Sequence, residues 1–140
     1  MAAIIHAYKA LEQGKSGLPQ PIIFCRQIPA ISDKAVSLNV PLAKKLAAIK
    51  PGRRTLRLEQ CFKETLDSLP ENPVINNIDV LFNPTYEVDI LWIMASVGKN
   101  KPFQVIWPGK YEDGRLFYAE EGYRDYKVYD LEKYDVTCVI

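Results

Sequence analysis

Lys50, Arg53, Arg54 and Arg57 set four cations within eight residues around a Pro51–Gly52 turn. Such a cluster can meet phosphates or an acidic partner, although a solvated basic loop is the commoner outcome. Asn76 and Asp79 fall at the end of an apolar run, the place where ligands of α/β sheets gather. An asparagine there lacks the negative charge with which an aspartate holds Mg²⁺, so the pair makes a weak metal site at best, and an Asn-rich turn after a core strand is the blander reading. Gly14-Lys15-Ser16 looks like the end of a Walker A loop, but Lys9 stands where the first glycine of that motif belongs. The triplet also follows an expected helix and precedes an expected strand, the reverse of the order a phosphate loop needs. His6 has no companion nucleophile or ligand cluster, and no Ser/His/Asp or Cys/His set can be assembled.

The elements that must position these residues can be read from apolar spacing. Ile4, Ile5, Tyr8 and Leu11 recur at helical intervals and predict a short N-terminal helix stopped by Gly14–Pro19. Pro21–Cys25 is an unbroken apolar run, expected to be a strand buried on both faces of a parallel sheet. Residues 28–33 read as irregular. Leu42, Leu46 and Ile49 predict a helix over 41–49 with Asn39 as its cap, and Leu58, Phe62, Leu66 and Leu69 a second one closed by Pro70. A buried strand is expected through Val74–Ile75 and Ile78–Phe82, a helix over 86–95 and a third buried strand over 103–107. Asp113-Gly114 between two short runs is a hairpin signal, and 126–129 and 136–140 are candidates for further short strands. Strand, helices, strand, helix, strand is the order of a layered α/β sheet. The expected organisation is one domain over 1–140, with a core at about 20–108 and an aromatic-rich hairpin extension over 109–140. Tyr111, Phe117, Tyr118, Tyr123, Tyr126, Tyr129 and Tyr134 crowd that extension and could cap a small sheet or furnish an interface.

Composition narrows the function classes. In 140 residues, 18 Lys and Arg face 17 Asp and Glu, so a net charge of +1 supplies no global field toward nucleic acid or an anionic membrane. The apolar runs are too short for a span, and residues 1–10 lack the features of a signal peptide. Three widely spaced cysteines and one histidine argue against a disulfide framework or a structural zinc site. The expectation is therefore a cytoplasmic domain with no membrane role, no metal and no cofactor.

Three blocks carry a resemblance: Asn39-Val-Pro-Leu-Ala-Lys-Lys-Leu46, Asn76-Asn-Ile-Asp-Val-Leu-Phe82, and the stretch from Val105 to Ala119. From about Asn39 onward, over roughly seventy percent of its length, the chain resembles the BrxF family, small P-loop or AAA-type proteins of BREX bacteriophage-exclusion systems. The resemblance implies a three-layer, mostly parallel sheet of P-loop NTPase type. It also implies that Asn76 stands at the Asp position and Asp79 at the Glu position of a degenerate Walker B strand, and that Asn100 falls near the polar sensor. The glycine-rich loop of that family would have to fit between Cys25 and Asn39, where only thirteen residues are available and none is glycine. These features together predict a non-catalytic pseudo-NTPase that acts as scaffold or assembly subunit through other defence-system proteins or through self-association. The alternatives are a nucleic-acid-binding accessory using the patch from Lys50 to Arg57, and a residual NTPase working through Asn76 and Asp79.

Overall fold

The computed structural model describes residues 2–6 and 17–140. The Walker-like triplet Gly14-Lys15-Ser16, and Tyr8 and Leu11 of the expected N-terminal helix, lie outside the described residues.

The elements are, in chain order, β1 (Ala3–Ile5), β2 (Ile22–Phe24), α1 (Pro29–Ser32), β3 (Val36–Ser37), α2 (Asn39–Ala47), α3 (Arg54–Asp67) and β4 (Val74–Asn76). After 3-10 turns at Asp79–Phe82 and Pro84–Tyr86 come α4 (Ile90–Asn100), β5 (Gln104–Ile106), β6 (Lys110–Glu112), β7 (Arg115–Tyr118), β8 (Lys127–Asp130) and β9 (Thr137–Val139). Six strands form one sheet in the order β1-β9-β2-β5-β4-β3, every adjacent pair parallel, and β6-β7-β8 form a separate antiparallel sheet. The chain is thus α/β with a parallel central sheet, as the alternation of apolar runs predicts.

Strand alternation divides the sheet's side chains between two apolar clusters. Ile23, Ile75, Val105 and Cys138 face the larger one, where Leu42 and Leu46 of α2, Leu58, Phe62 and Leu66 of α3, and Leu91 and Met94 of α4 pack with Leu116 and Tyr129 of the small sheet. The i, i+4, i+8 spacing of Leu58, Phe62 and Leu66 makes that stripe, and Phe62 meets Phe103 edge to face at 5.6 Å. Fully burying a side chain of this size stabilises the fold by about 2–3 kcal/mol. Ile22, Phe24, Val74 and Val139 face the other cluster, to which α1 contributes Ile31.

Several sequence expectations are corrected. Ile4 and Ile5 lie in β1, which pairs with β9 near the other end of the chain; two neighbouring apolar residues cannot distinguish a strand from a helix without knowledge of that partner. Residues 28–33, expected to be irregular, contain α1, which has proline at its first position. Val36–Ser37, read as no element, is a two-residue edge strand. Asn39 does not cap α2 but is its first residue, and its Oδ1 accepts from the Val80 N–H at 2.9 Å. The strand expected to run on to Phe82 ends at Asn76, because Asn77 takes a left-handed φ of 48° and turns the chain out of the sheet. The helix expected over 86–95 starts at Ile90, where the Asp89 carboxylate accepts from the Trp92 N–H; Tyr86 belongs to a turn capped by Asn83. Finally β9, assigned from sequence to the C-terminal extension, lies inside the main sheet between β1 and β2.

The hairpin at Asp113-Gly114 forms as read, with φ of 50° and 77° closing a two-residue turn between Glu112 and Arg115. Gly109, at its entry, sits so close to the Phe117 carbonyl that a Cβ would lie 1.8 Å from the oxygen and 3.0 Å from Trp107 Nε1. Gly109→Ala is therefore expected to cost about 2–3 kcal/mol or more, read as a fall in urea midpoint. Gly52→Ala, with nothing within 4 Å of the added carbon, is the control and should stay within about 0.5 kcal/mol of the parent. Equal midpoints for the two variants would refute the packing described.

Candidate functional site

In a parallel sheet the ligand crevice lies beyond the carboxyl ends of strands whose connections leave toward opposite faces. β2 and β5 are such neighbours. The connection after β2 packs Ile28, Ile31 and Ala35 on the smaller cluster, whereas the connection after β5 packs Trp107, Leu116 and Tyr118 on the larger one. Around this point stand the ends of β2, β4 and β5, with Cys25, Asn76 and Trp107 as the first residues at or beyond them.

The segment after β2 does not form an anion cradle. Arg26 and Gln27 are exposed, and Pro29, which has no N–H, opens the four-residue α1. The N–H groups of Ile31 and Ser32 both turn back to the Ile28 carbonyl, at 2.9 Å each, and the Ser32 hydroxyl donates there as well. No glycine occurs between Leu18 and Pro51 to allow the backbone to curl around a phosphate.

After β4, half-buried Asn76 carries a buried Oδ1 with no hydrogen-bond partner among the described residues. Asp79 is exposed, but its Oδ1 accepts from the Tyr118 hydroxyl at 2.9 Å. This reaches across to β7 and is continued by ring contacts. Phe82 stacks on Tyr118 with ring centroids 3.8 Å apart and 5° between planes, and meets Trp107 edge-on at 5.6 Å. Trp107 in turn donates from Nε1 to the Phe117 carbonyl at 2.8 Å and touches Tyr129, which touches Tyr134. The Tyr134 hydroxyl donates to Asp89 at 2.6 Å, on the residue that caps α4. The C-terminal tyrosines thus divide: Tyr118, Tyr129 and Tyr134 close over the edge of the sheet, and Tyr123 stays 66% exposed.

Burial pushes the Tyr118 phenol well above its ordinary range, and the hydrogen bond and charge of Asp79, with the charge of Asp125, add to it. Burial also raises Tyr129 and Tyr134, helped in both by Asp89. These three phenols stay neutral at every physiological pH, and Tyr118 and Tyr134 are hydrogen-bond donors. Beside Tyr118 an open hollow of about 600 Å³ is lined by Asn39, Val40, Ala43, Asp79 and Asp125 among others. Chemically it offers carboxylates and an aromatic wall, a receptor for a cation.

The sequence-derived residues separate into three places. Asn76 and Asp79 lie at the carboxyl edge. Asn100 does not join them: β5 runs parallel to β4, so a residue preceding β5 sits at the opposite end of the strands, and Asn100 borders a hollow with Lys63, Asp67, Glu71 and Lys101. It therefore does not occupy a sensor's place. Of the basic turn, Lys50, Arg53 and Arg57 are exposed, whereas Arg54 is half-buried and donates from Nε to the Ile49 carbonyl at 3.0 Å. None of the four enters an ion pair among the described residues. His6 is exposed. Sequence reasoning missed Tyr118 and Asp125 as neighbours of Asp79; only the Asp113-Gly114 hairpin, which carries Tyr118 back over the sheet, hinted at that approach. Among the described residues no helix is long and apolar enough to cross a membrane, and no three His, Cys, Asp or Glu side chains cluster as metal ligands.

The raised tyrosines fix a sign for alkaline pH. A group whose folded pKa exceeds its unfolded value near 10 stabilises the fold fully below that pH and progressively less above it. The melting temperature should be insensitive to these groups up to about pH 9 and fall above about pH 10. An ultraviolet titration should show the phenolates of Tyr118, Tyr129 and Tyr134 appearing only with unfolding, and Tyr118→Phe should remove one of them. Free titration of all eight tyrosines in the folded protein would contradict the closure described.

No protein-family model, no curated protein and no solved structure matches this chain.

Proposed function

We propose that the chain is a non-catalytic assembly subunit, a pseudo-NTPase that works through protein contacts in a bacterial antiphage complex of BREX type. The observation that carries this reading is the carboxyl edge of the sheet. A crevice lies where the connections after β2 and β5 leave toward opposite faces, but β2 runs into a glycine-free segment whose short helix is opened by proline. Asn76 replaces a metal-holding acid with a neutral amide, and Asp79 is engaged by Tyr118. The blocks that resemble BrxF supply α2, the end of β4 with its turn, and β5 with the β6-β7 hairpin, which are the parts that build this edge. A degenerate P-loop ancestry accounts for a crevice that has kept its place and lost its grip.

Isothermal titration with Mg-ATP should give no saturable heat in the micromolar range. Affinity purification from cells expressing the protein beside its genomic neighbours should recover a stoichiometric protein companion. Micromolar ATP binding, or density for a nucleotide against Arg26–Lys34, would replace the reading with a residual NTPase.

A second reading has its own observation, the exposed cations Lys50, Arg53 and Arg57, which enter no ion pair among the described residues. A nucleic-acid accessory using them should bind oligonucleotides with an affinity that falls steeply as salt is added. Absence of binding at low salt removes that reading.

A further inference from the structure

Two charged surfaces on this chain match each other. The first is the basic turn, where Lys50, Arg53 and Arg57 surround Leu56, which is 85% exposed. It also holds the start of α3, whose first turn contains no acidic residue and whose N-cap, Arg53, makes no side-chain cap, so the helix dipole adds to the positive potential. The second is acidic. Asp79 and Asp125 line the hollow beside Tyr118, and exposed Glu120 and Glu121 border a neighbouring hollow with Phe117 and Tyr126. Exposed Tyr123 lies in the same loop.

We infer that these surfaces bind each other between two copies of the chain, the basic turn of one entering the acidic hollow of the next. The inference rests on the reading that the protein works through protein contacts, and names a second copy as a partner. Each surface has the anatomy of an interface patch, an apolar or aromatic centre rimmed by charge. Glu120, Glu121 and Asp125, like the three exposed cations, take part in no ion pair among the described residues, so neither set is already satisfied within the chain. Asp79 gives one oxygen to Tyr118 and keeps the other for a donor. A hollow of about 600 Å³ admits an arginine side chain, whose planar guanidinium suits two carboxylates and an aromatic wall. Like charges within the patches oppose the pairing only in part. Arg124 and Lys127 flank the acidic loop, Lys110 beside Glu120 is held by Glu112, and Glu59 lies near the basic turn. The net charge of +1 leaves almost no overall repulsion between copies, so local complementarity decides the encounter.

A foreign acidic or basic partner would need only one surface, whereas self-association uses both. Sedimentation velocity of the full chain at about 20 mM salt, where screening reaches only beyond roughly 20 Å, should show concentration-dependent association. Raising the salt to about 0.5 M should weaken it at least tenfold. Arg53→Glu with Arg57→Glu should leave the protein monomeric, and so should Glu120→Lys with Glu121→Lys, each retaining the parent's melting temperature within a few degrees because all four sites are exposed. Mixing these two variants should restore association, since each supplies the surface the other has reversed. That rescue excludes a loss caused by misfolding. A monomeric parent at low salt, association that survives in both variants, or a mixture that stays monomeric would each overturn the inference. A stoichiometric foreign companion found with a monomeric parent would leave the assembly reading standing without it, and salt-sensitive oligonucleotide binding by a monomeric parent would assign the basic turn to nucleic acid instead.

Discussion

The structure depends on how the carboxyl edge of its parallel sheet is closed. Parallel sheets need both faces covered, and their strand ends must hand the chain to connections without leaving buried polar groups unsatisfied. Here the connection after β5 solves this with aromatic rings. Trp107 leaves the sheet, donates to the Phe117 carbonyl and holds the small sheet against the main one. Phe82, sandwiched by Tyr118 and Trp107, fixes the turn after β4 to the same point. Gly109 is required because the chain passes within carbon contact of that carbonyl. One contact thereby joins the ends of two strands to a three-stranded sheet.

That closure has a functional consequence. Tyr118 spends its hydroxyl on Asp79, the one carboxylate in the turn after β4. A carboxylate oxygen that accepts a buried phenol's hydrogen bond is less available to any other donor, and beside it Asn76 contributes no charge. On the far side of the crevice the backbone N–H groups of the β2 connection are turned inward to Ile28. Two separate features, one in each wall, therefore point the same way. This edge is a shaped surface with acids beside an aromatic wall, which attracts cations and repels phosphates.

Much of the fold was legible because its core elements have strong local periods. Leu58, Phe62 and Leu66 identify α3 from spacing alone, and Asp113-Gly114 names its turn type without any knowledge of partners. The missed strands share a cause. β1 and β3 have three and two residues and acquire their identity from distant strands, so Ile4 and Ile5 carry no local signal that distinguishes them from a helical turn, and β9, read as a strand, takes its place in the main sheet only from those partners. Asn77 shows a subtler limit, since its left-handed backbone ends β4 within an apolar run that otherwise continues to Phe82. For the site, sequence order located Asn76 and Asp79 after a buried strand, but strand direction was needed to exclude Asn100, and tertiary pairing was needed to bring Tyr118 and Asp125 to Asp79.

The position of β9 bears on how far the connection after β2 can vary without loss of the fold. β9 returns from the small sheet to lie between β1 and β2, so the strand next to the crevice is flanked by the last strand of the chain on one side and by β5 on the other. Val139 is fully buried, its carbonyl accepts from the Cys25 N–H, and the Thr137 hydroxyl donates to the Pro19 carbonyl. The β2 strand is therefore held by hydrogen bonds on both edges, independent of the connection that follows it. The connection after β2 can therefore be as short as α1 with little loss of sheet stability, because the strand takes its order from its neighbours. The cost falls on the smaller apolar cluster, where among the described elements α1 supplies only Ile31 as a fully buried side chain. At the carboxyl edge, charge can then change on the exposed side chains without disturbing the core beneath.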